Sequence, residues 1–234
     1  MTEILDLDYN DHVSLLGTAH FTKRSLVEAH EAVRRLKPTD LAIELDTERF
    51  QFLNRRCAGC PDQERCSGRC EFVGATDALG NVNASIWLID MSEGEIRERV
   101  RRLLPPSRLW WYSFAGFPFN RRDGDDELEL WERGYKDEVL ERHSRRLEVL
   151  RLRAPHVWRV LIDERNALMA ARLAWVVTQK MNRSEEVRVL ALTGAAHVDG
   201  IKDLLGSAGR IDGELQRLGL RFTVPRLVRR VSVN

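Results

Sequence analysis

The sequence lacks a long apolar run, since no stretch of it approaches the ~18 consecutive apolar residues that a transmembrane helix requires. Its N-terminus, MTEILDLDYNDH, is acidic and lacks the basic region and apolar core of a secretory signal. Lysine plus arginine (37) and aspartate plus glutamate (36) nearly cancel, so no excess charge favours nucleic acid or an acidic surface. We therefore expect a cytoplasmic protein that binds neither membranes nor nucleic acids.

Cysteine is missing from the whole sequence except one segment, CAGCPDQERCSGRC, which holds Cys57, Cys60, Cys66 and Cys70. In a chain without an export signal, this clustering argues against a disulfide framework and favours a metal or redox element. A CxxC followed by a CxxxC suits a tetrahedral zinc site or an iron–sulfur cluster. We expect structural zinc first, then an iron–sulfur cluster, then a reversible dithiol, with ordinary thiols as the remaining alternative.

The pattern of apolar residues predicts an α/β fold. Two short buried strands at 13–17 and 41–45 enclose an amphipathic helix at 22–36, a β-α-β unit that normally gives parallel pairing. The same order of elements returns near the end of the chain. We predict a strand at 187–193, a helix from about 197, a short helix at 213–218 and a further strand at 220–224. We expect a central mixed, partly parallel sheet flanked by helices.

Linkers rich in glycine and serine and low-complexity tracts are also absent, which favours a single domain over residues 1–234. We expect it to carry a small cysteine-rich insertion at about 54–75 and a helical insertion at about 92–182. Between a strand at 81–90 and long helices at 126–153 and 156–181 lies the aromatic-rich stretch LLPPSRLWWYSFAGFPFNRRDGDD. This stretch is a candidate cover loop over a site; an internal plug or a contact between subunits of a homo-oligomer is the alternative.

A Gly-x-x-His turn occurs twice, each time directly after an apolar strand. The first runs from Gly17 to His20 and the second from Gly194 to His197. Ligands of open α/β sheets collect outside the carboxyl ends of the strands, so we expect both imidazoles at one edge of the sheet. A lone histidine after a strand is more often structural, but the repetition in matched contexts favours a site.

Two glutamates stand where the pattern predicts an apolar environment. Glu44 ends the strand of LAIELD, and Glu164 falls on the apolar stripe of the helix at 156–181. A buried carboxylate costs free energy unless a cation, a metal or hydrogen-bond donors meet it. Two imidazoles and two carboxylates suit Zn, Mn, Co or Fe with room for a water molecule. The alternative is an ordinary ion pair with one of the many arginines.

Three stretches together resemble the TraB/PrgY family: GTAHFTKRSLVEAHEAVRRLKPTDLAIELDTERF, LIDERNALMAARL and LTGAAHVDGI. This family is grouped with the TIKI proteases, GumN-like proteins, erythromycin esterases and ChaN-like haem-binding proteins. The resemblance implies an α/β core with one site formed by His20, Glu44, Glu164 and His197. It also implies that Arg49 and Arg165 are accessory residues of this site.

The chain departs from the family pattern at three points. Met91 of LIDM stands where the pattern has arginine, so we assign no oxyanion or substrate-carboxylate role to that position. The C-terminal membrane helices of PrgY-like members have no counterpart in this sequence. The four-cysteine segment is not part of the family pattern either.

The sequence thus leads us to expect a metal-dependent hydrolase of a peptide or of a related amide or ester. His20, His197 and one or both glutamates would hold a divalent ion (Zn, Mn or Co), and a glutamate not bound to it would act as general base. Arg49 or Arg165 would stabilise developing negative charge.

Two other functions stay open on the same resemblance. TIKI members are described as metal-dependent peptidases and erythromycin esterases as hydrolases, whereas PrgY members reduce peptide pheromone activity. The chain is therefore alternatively a non-catalytic protein that sequesters a peptide or small ligand. The third reading is a metal-free esterase that uses His20 as its general base.

Overall fold

Five strands form the central sheet of the computed structural model, which describes residues 7–20, 22–57, 71–80, 84–104 and 121–228. The strands are β1 (Val13–Thr18), β2 (Asp40–Ile43), β3 (Ser85–Leu88), β4 (Val189–Gly194) and β5 (Arg226–Val228). They lie in the spatial order β1-β4-β2-β3-β5. The first four are mutually parallel, and β5 pairs antiparallel with β3. This arrangement confirms the expected α/β class with a mixed, mostly parallel sheet.

Helices make up most of the remaining described chain. Those before the middle of the chain are α1 (Lys23–Leu36), α2 (Thr47–Cys57), α3 (Glu71–Ala78) and α4 (Glu93–Leu103). Those after it are α5 (Arg121–Arg133), α6 (Lys136–Arg153), α7 (Pro155–Trp158), α8 (Arg165–Met181), α9 (Val198–Leu205) and α10 (Ala208–Leu218). A π-helical segment, Arg159–Glu164, joins α7 to α8.

The central strands are buried on both faces, and their alternation supplies two cores. Leu41, Ile43 and Leu192 pack on one face with residues of α1, α2 and α3. Ala42 and Ala191 point to the other face, where they pack with residues of α8, α9 and α10. Two alanines in the middle of the sheet let α8 approach closely, and this approach brings the first residues of α8 to the edge of the sheet.

Two sequence predictions of single elements were wrong. The segment 220–224 is not a strand; the guanidinium of Arg172 donates to the backbone oxygen of Thr223 at 3.1 Å, and the chain enters β5 only at Arg226. The helix predicted at 126–153 is two helices, because Gly134 adopts a φ of 96° and interrupts it between α5 and α6. The aromatic-rich stretch predicted as a cover loop falls, through residues 105–120, outside the described residues.

None of the helices within the described residues is both long enough and apolar enough to cross a membrane.

Candidate functional site

One edge of the sheet carries a polar residue after each of the four parallel strands. Because β1, β4, β2 and β3 run in the same direction, their carboxyl ends lie along this edge. His20 follows β1, His197 follows β4, Glu44 follows β2, and Asp90 follows β3. The first three of these strands are immediate neighbours, so their exit residues meet.

Glu44 is the meeting point of the two histidines. His20 Nε2 lies 4.0 Å, and His197 Nε2 lies 3.6 Å, from the same Oε1 of Glu44. The other carboxylate oxygen, Oε2, accepts a hydrogen bond from the backbone N–H of Gly194. Three of the four residues predicted to share a site are therefore together.

The glycines of the two Gly-x-x-His turns are explained by close approaches. A Cβ at Gly194 would lie 3.0 Å from His20 Nε2, and a Cβ at Gly17 would lie 2.8 Å from a methyl of Val198. The first glycine keeps the space between the imidazole and Glu44 open. The second lets β1 pack against the turn that carries His197.

Each imidazole is held from behind by an oxygen atom. Glu71 Oε1 lies 2.6 Å from His20 Nδ1, and Asn166 Oδ1 lies 2.6 Å from His197 Nδ1. Glu71 is fully buried and also accepts a hydrogen bond of 2.8 Å from Thr18 Oγ1. A carboxylate or amide oxygen can only accept, so the ring proton of the neutral imidazole is placed on Nδ1, and the lone pair of Nε2 faces Glu44.

A network of arginines and carboxylates continues from Glu44 along the edge. Arg165 donates to Glu44 Oε1 and, at 2.8 and 2.9 Å, to both oxygens of Asp90. Arg49 donates to the same Asp90 at 2.7 Å, to Asp46 at 2.5 Å and to the Met91 backbone oxygen at 2.8 Å. Both arginines that the sequence suggested as accessory residues therefore belong to this network.

Asp90 remains ionised at the centre of that network. Burial by itself would raise the pKa of this carboxyl, but the guanidinium groups of Arg165 and Arg49 outweigh it and lower the pKa to about 2. Burial also acts to lower the pKa of Arg165, and the charges of Asp90 and Glu44 outweigh it, so that pKa is raised. The result is a fixed positive charge beside Glu44.

The two histidines differ in proton affinity. Burial acts to lower the pKa of His20, but the hydrogen bond that its Nδ1–H donates to Glu71 and the charge of Glu44 outweigh it and raise that pKa above its usual value. Burial lowers the pKa of His197, and the charge of Glu44 does not compensate for it. The His20 side chain is 37% exposed and that of His197 only 5%, so the site opens to solvent on the His20 side.

Glu164, the fourth predicted site residue, lies elsewhere. Its carboxylate accepts a hydrogen bond of 2.8 Å from Arg99 and one of 3.1 Å from Arg159. Both arginines also donate to the backbone oxygen of Leu218, at the end of α10. The structure therefore does not bring Glu164 to the histidines, because successive helical residues diverge by roughly 100° and Arg165 points to Glu44 instead.

Three residues of the cluster were missed at the sequence level: Glu71, Asn166 and Asp90. Glu71 directly follows the cysteine segment. Asn166 is next to Arg165, and Asp90 is next to Met91, both of which the sequence analysis names. Each of the three is a polar residue beside an apolar run, and all three are buried. A polar residue beside an apolar run indicates a buried polar group, but it does not indicate which histidine or arginine that group contacts.

Of the two metal sites predicted from the sequence, the four-cysteine site lies mostly outside the described residues, whereas the site at Glu44 lies within them. Cys57 is the last residue of α2, whereas Cys60, Cys66 and Cys70 lie outside the described residues. Within the described ranges, no three His, Cys, Asp or Glu side chains are placed so that they would hold a metal ion as they stand. At the Glu44 cluster, Arg165 already bonds to the oxygen that both imidazoles face.

Two cavities lie beside the cluster, and neither is lined by its histidines. The smaller, of about 260 Å³, is bordered by Asp46 and Asp90 of the arginine network. The larger, of about 570 Å³, lies between α2 and the strands β3 and β5. The cluster and these two cavities thus lie next to each other, and the histidines line neither cavity.

Comparison with known proteins gives one weak likeness. No family model matches the chain, and no solved structure matches it. The chain is similar to an uncharacterized protein of Methanocaldococcus jannaschii, with 23% identity over 218 residues that cover 81% of this chain. These residues cover 52% of the relative, so the chain spans about half of that protein's length.

Proposed function

We propose that this protein is a hydrolase that cleaves a peptide or a related amide or ester at the cluster of His20, Glu44 and His197. The observation that carries the proposal is the convergence of two imidazole Nε2 atoms, at 4.0 and 3.6 Å, on one carboxylate oxygen. The resemblance to the TraB/PrgY family supports it, and membership of that family is part of the proposal.

The chemistry of these three residues fits a divalent metal ion. Two neutral imidazoles and one carboxylate are a common ligand set for catalytic zinc and for other first-row metals. With metal–ligand bonds of about 2.1 Å, two ligand atoms on one ion lie roughly 3–4 Å apart, and the two Nε2–Oε1 distances of 4.0 and 3.6 Å fall in this range. The three side chains would still have to shift to enclose an ion, since as they stand they do not form a metal site. Glu71 and Asn166 would orient the two rings from behind, as partners of metal-bound histidines do. When bound, a divalent ion would polarise a carbonyl oxygen and acidify a water molecule.

The protein's own groups supply orientation and positive charge. Glu71 and Asn166 fix the rings, so that both Nε2 atoms point into the site. Arg165 holds a largely buried guanidinium beside Glu44, where it would stabilise negative charge that develops on a carbonyl oxygen. His20 lies on the open side and would be the first of these groups to meet a substrate.

A metal-free mechanism is favoured by one specific contact. Arg165 already bonds to Glu44 Oε1 and provides a positive charge close to where an ion would sit. His20 Nε2 would then take a proton from a water molecule as the water oxygen attacks the carbonyl carbon. The same proton would pass to the leaving group when the bond to the carbonyl carbon breaks, which restores the enzyme.

The test is hydrolysis of a library of unmodified peptides of three to ten residues, followed by mass spectrometry, by the wild type and by Glu44→Gln. We expect turnover by the wild type and a loss of at least about 100-fold in the variant, because Glu44 faces both imidazoles, at 4.0 and 3.6 Å. Glu31→Gln, at an exposed glutamate of α1, is the control and keeps full activity. Equal turnover by Glu44→Gln and the wild type would contradict the proposal.

Metal analysis by mass spectrometry and activity in the presence of a chelator separate the two mechanisms. About one ion per chain that is lost in His197→Gln, together with chelator-sensitive turnover, supports the metal mechanism. Chelator-insensitive turnover supports the mechanism in which Arg165 provides the charge. A peptide that binds and is recovered unaltered would contradict both, and would favour a sequestering protein of PrgY type.

A further inference from the structure

We propose that the two cavities beside α2 form one groove that binds a short, extended peptide by both of its charged ends, with an apolar side chain between them. The inference rests on the proposed function, which it deepens by assigning a substrate class. Three observations carry it: the position of the groove, the pattern of residues on α2, and the separation of charges along the groove.

The groove begins beside the arginine network that adjoins the cluster of His20, Glu44 and His197. Asp46 and Asp90, which hold Arg49 and Arg165, also line the smaller cavity. The strand order places β3 and β5 next to β2 on the side away from β1, so the groove continues the same edge of the sheet. Thr47, Leu88 and Arg226 line both cavities, which makes the two cavities neighbours along one path.

One stripe of α2 forms a wall of the groove. The residues that line the larger cavity lie at helical spacings of three and four, on one face of the helix: Thr47, Phe50, Gln51, Asn54 and Arg55. Leu88, Leu227 and Val228 of β3 and β5 face them across the cavity. The middle of the groove therefore offers apolar surface for a side chain and amide groups for a peptide backbone.

The exposed charges are separated along α2. Glu48 and Glu95, both exposed, line the end next to the cluster. Arg172 also lines this end, but it is buried and donates to the backbone oxygens of Ile89 and Asp90, so the exposed charges there are negative except for that of Arg226. Arg55 lines the larger cavity at the other end of the helix, and Arg226 lies between the two cavities. Asp46 caps the first turn of α2 by accepting from the N–H groups of Glu48 and Arg49, so the helix terminus is already neutralised.

The length of the groove selects the size of the ligand. Seven residues separate Glu48 from Arg55, which is about 10 Å along a helix axis. An extended peptide advances about 3.3 Å per residue, so this span suits three to four residues. An ammonium group near Glu48 and a carboxylate near Arg55 would complement the charges at both ends. Arg226, which lines both cavities, lies along the path between them.

The experiment is isothermal titration of a tetrapeptide of alanine and leucine with free ends, compared with its C-terminally amidated form. It uses the full chain of Glu44→Gln, which we expect not to cleave the peptide. We expect amidation to weaken binding about fivefold, the effect of one exposed ion pair. In a second protein that also carries Arg55→Gln and Arg226→Gln, amidation is expected to have no effect. Arg101→Gln, at an exposed arginine of α4, is the control and keeps the fivefold difference.

The other end is tested with the N-acetylated tetrapeptide. Acetylation is expected to weaken binding about fivefold in Glu44→Gln, and not to do so when Glu48→Gln is added. Glu31→Gln serves as the matched control. Absence of binding, or the same losses in the groove variants as in the controls, would overturn the inference.

Failure of this inference and failure of the proposed function give different results. Hydrolysis that needs Glu44 but does not depend on either peptide end would overturn the groove and leave the hydrolase. Binding that depends on both ends, without any hydrolysis by the wild type, would leave the groove and overturn the hydrolase.

Discussion

At the scale of single residues, the site depends on groups that stand behind the histidines. Glu71 and Asn166 each hold one Nδ1 at 2.6 Å, and neither faces the space between Nε2 and Glu44. Partners of this kind fix the tautomer and the ring orientation. His20 and His197 are therefore positioned by residues that are not part of the two Gly-x-x-His motifs.

We predict that Glu71→Gln lowers turnover by about 10- to 100-fold, as the loss of such partners does in other sites. The amide keeps a hydrogen-bonding oxygen but removes the charge that raises the pKa of His20. The pH dependence of kcat/KM is therefore expected to shift to lower pH as well. Glu132→Gln, at an exposed glutamate that accepts from the backbone N–H of Arg24, is the control and leaves the pH profile unchanged. An unchanged profile in Glu71→Gln would contradict a role for Glu71 at His20.

Asp90 gives a prediction about stability and pH. Its folded-state pKa of about 2 lies below its ordinary 3.8, so its ion pairs stabilise the fold above pH 4 and are lost as the pH falls through the folded-state pKa. We expect Asp90→Asn to lower the free energy of unfolding by about 2 kcal/mol at pH 7. The difference from the wild type should narrow between pH 4 and pH 2, as measured by urea denaturation. A constant difference across that range would show that Arg165 and Arg49 do not depend on the Asp90 charge.

At the scale of elements, the π-helical segment Arg159–Glu164 ends between two residues with different partners, Glu164 and Arg165. Glu164, its last residue, is fixed by Arg99 and Arg159, while the next residue, Arg165, reaches Glu44. Segments of π-helix are frequent at functional sites, where they change the direction of side chains. Glu164 and Arg165 are consecutive residues whose side chains point to different sides of the helix, the first to Arg99 and Arg159 and the second to Glu44.

The role of Glu164 is tested by Glu164→Gln. We expect a loss of about 2 kcal/mol in the free energy of unfolding, because two arginines lose their charged acceptor. The metal content is expected to stay as in the wild type. Loss of the ion without loss of stability would contradict this assignment and restore the ligand role predicted from the sequence. Glu98→Gln, at an exposed i,i+4 pair with Arg102, is the control and changes neither quantity.

At the scale of the whole molecule, topology explains how much the sequence could predict. The parallel strands and their helices have strong periodicity, so the sheet and the positions of His20, Glu44 and His197 at its edge follow from local pattern plus the rule for strand ends. The partner of Glu164 does not follow, because burial indicates that a buried carboxylate needs a partner but not which one. Arg99 is 65 residues away, and only the packing of α4 against the π-helical segment brings it there.

The groove is likewise a property of the whole molecule. Its walls come from α2, β3 and β5, and β5 is the element whose position the sequence predicted wrongly. A cavity between elements far apart in the chain leaves no local pattern. The weak likeness to an uncharacterized protein, of which the match covers 52%, adds no assignment of substrate. The substrate is therefore tested by the binding experiments above.

The central claim is that both imidazoles face the same carboxylate. It is tested most directly by NMR titration of isotope-labelled histidine in the metal-free protein, with and without Glu44→Gln. The charge of Glu44 acts to raise the pKa of both His20 and His197, so its removal is expected to lower both pKa values. A change in only one of the two, or in neither, would show that the histidines do not share Glu44 and would contradict the account.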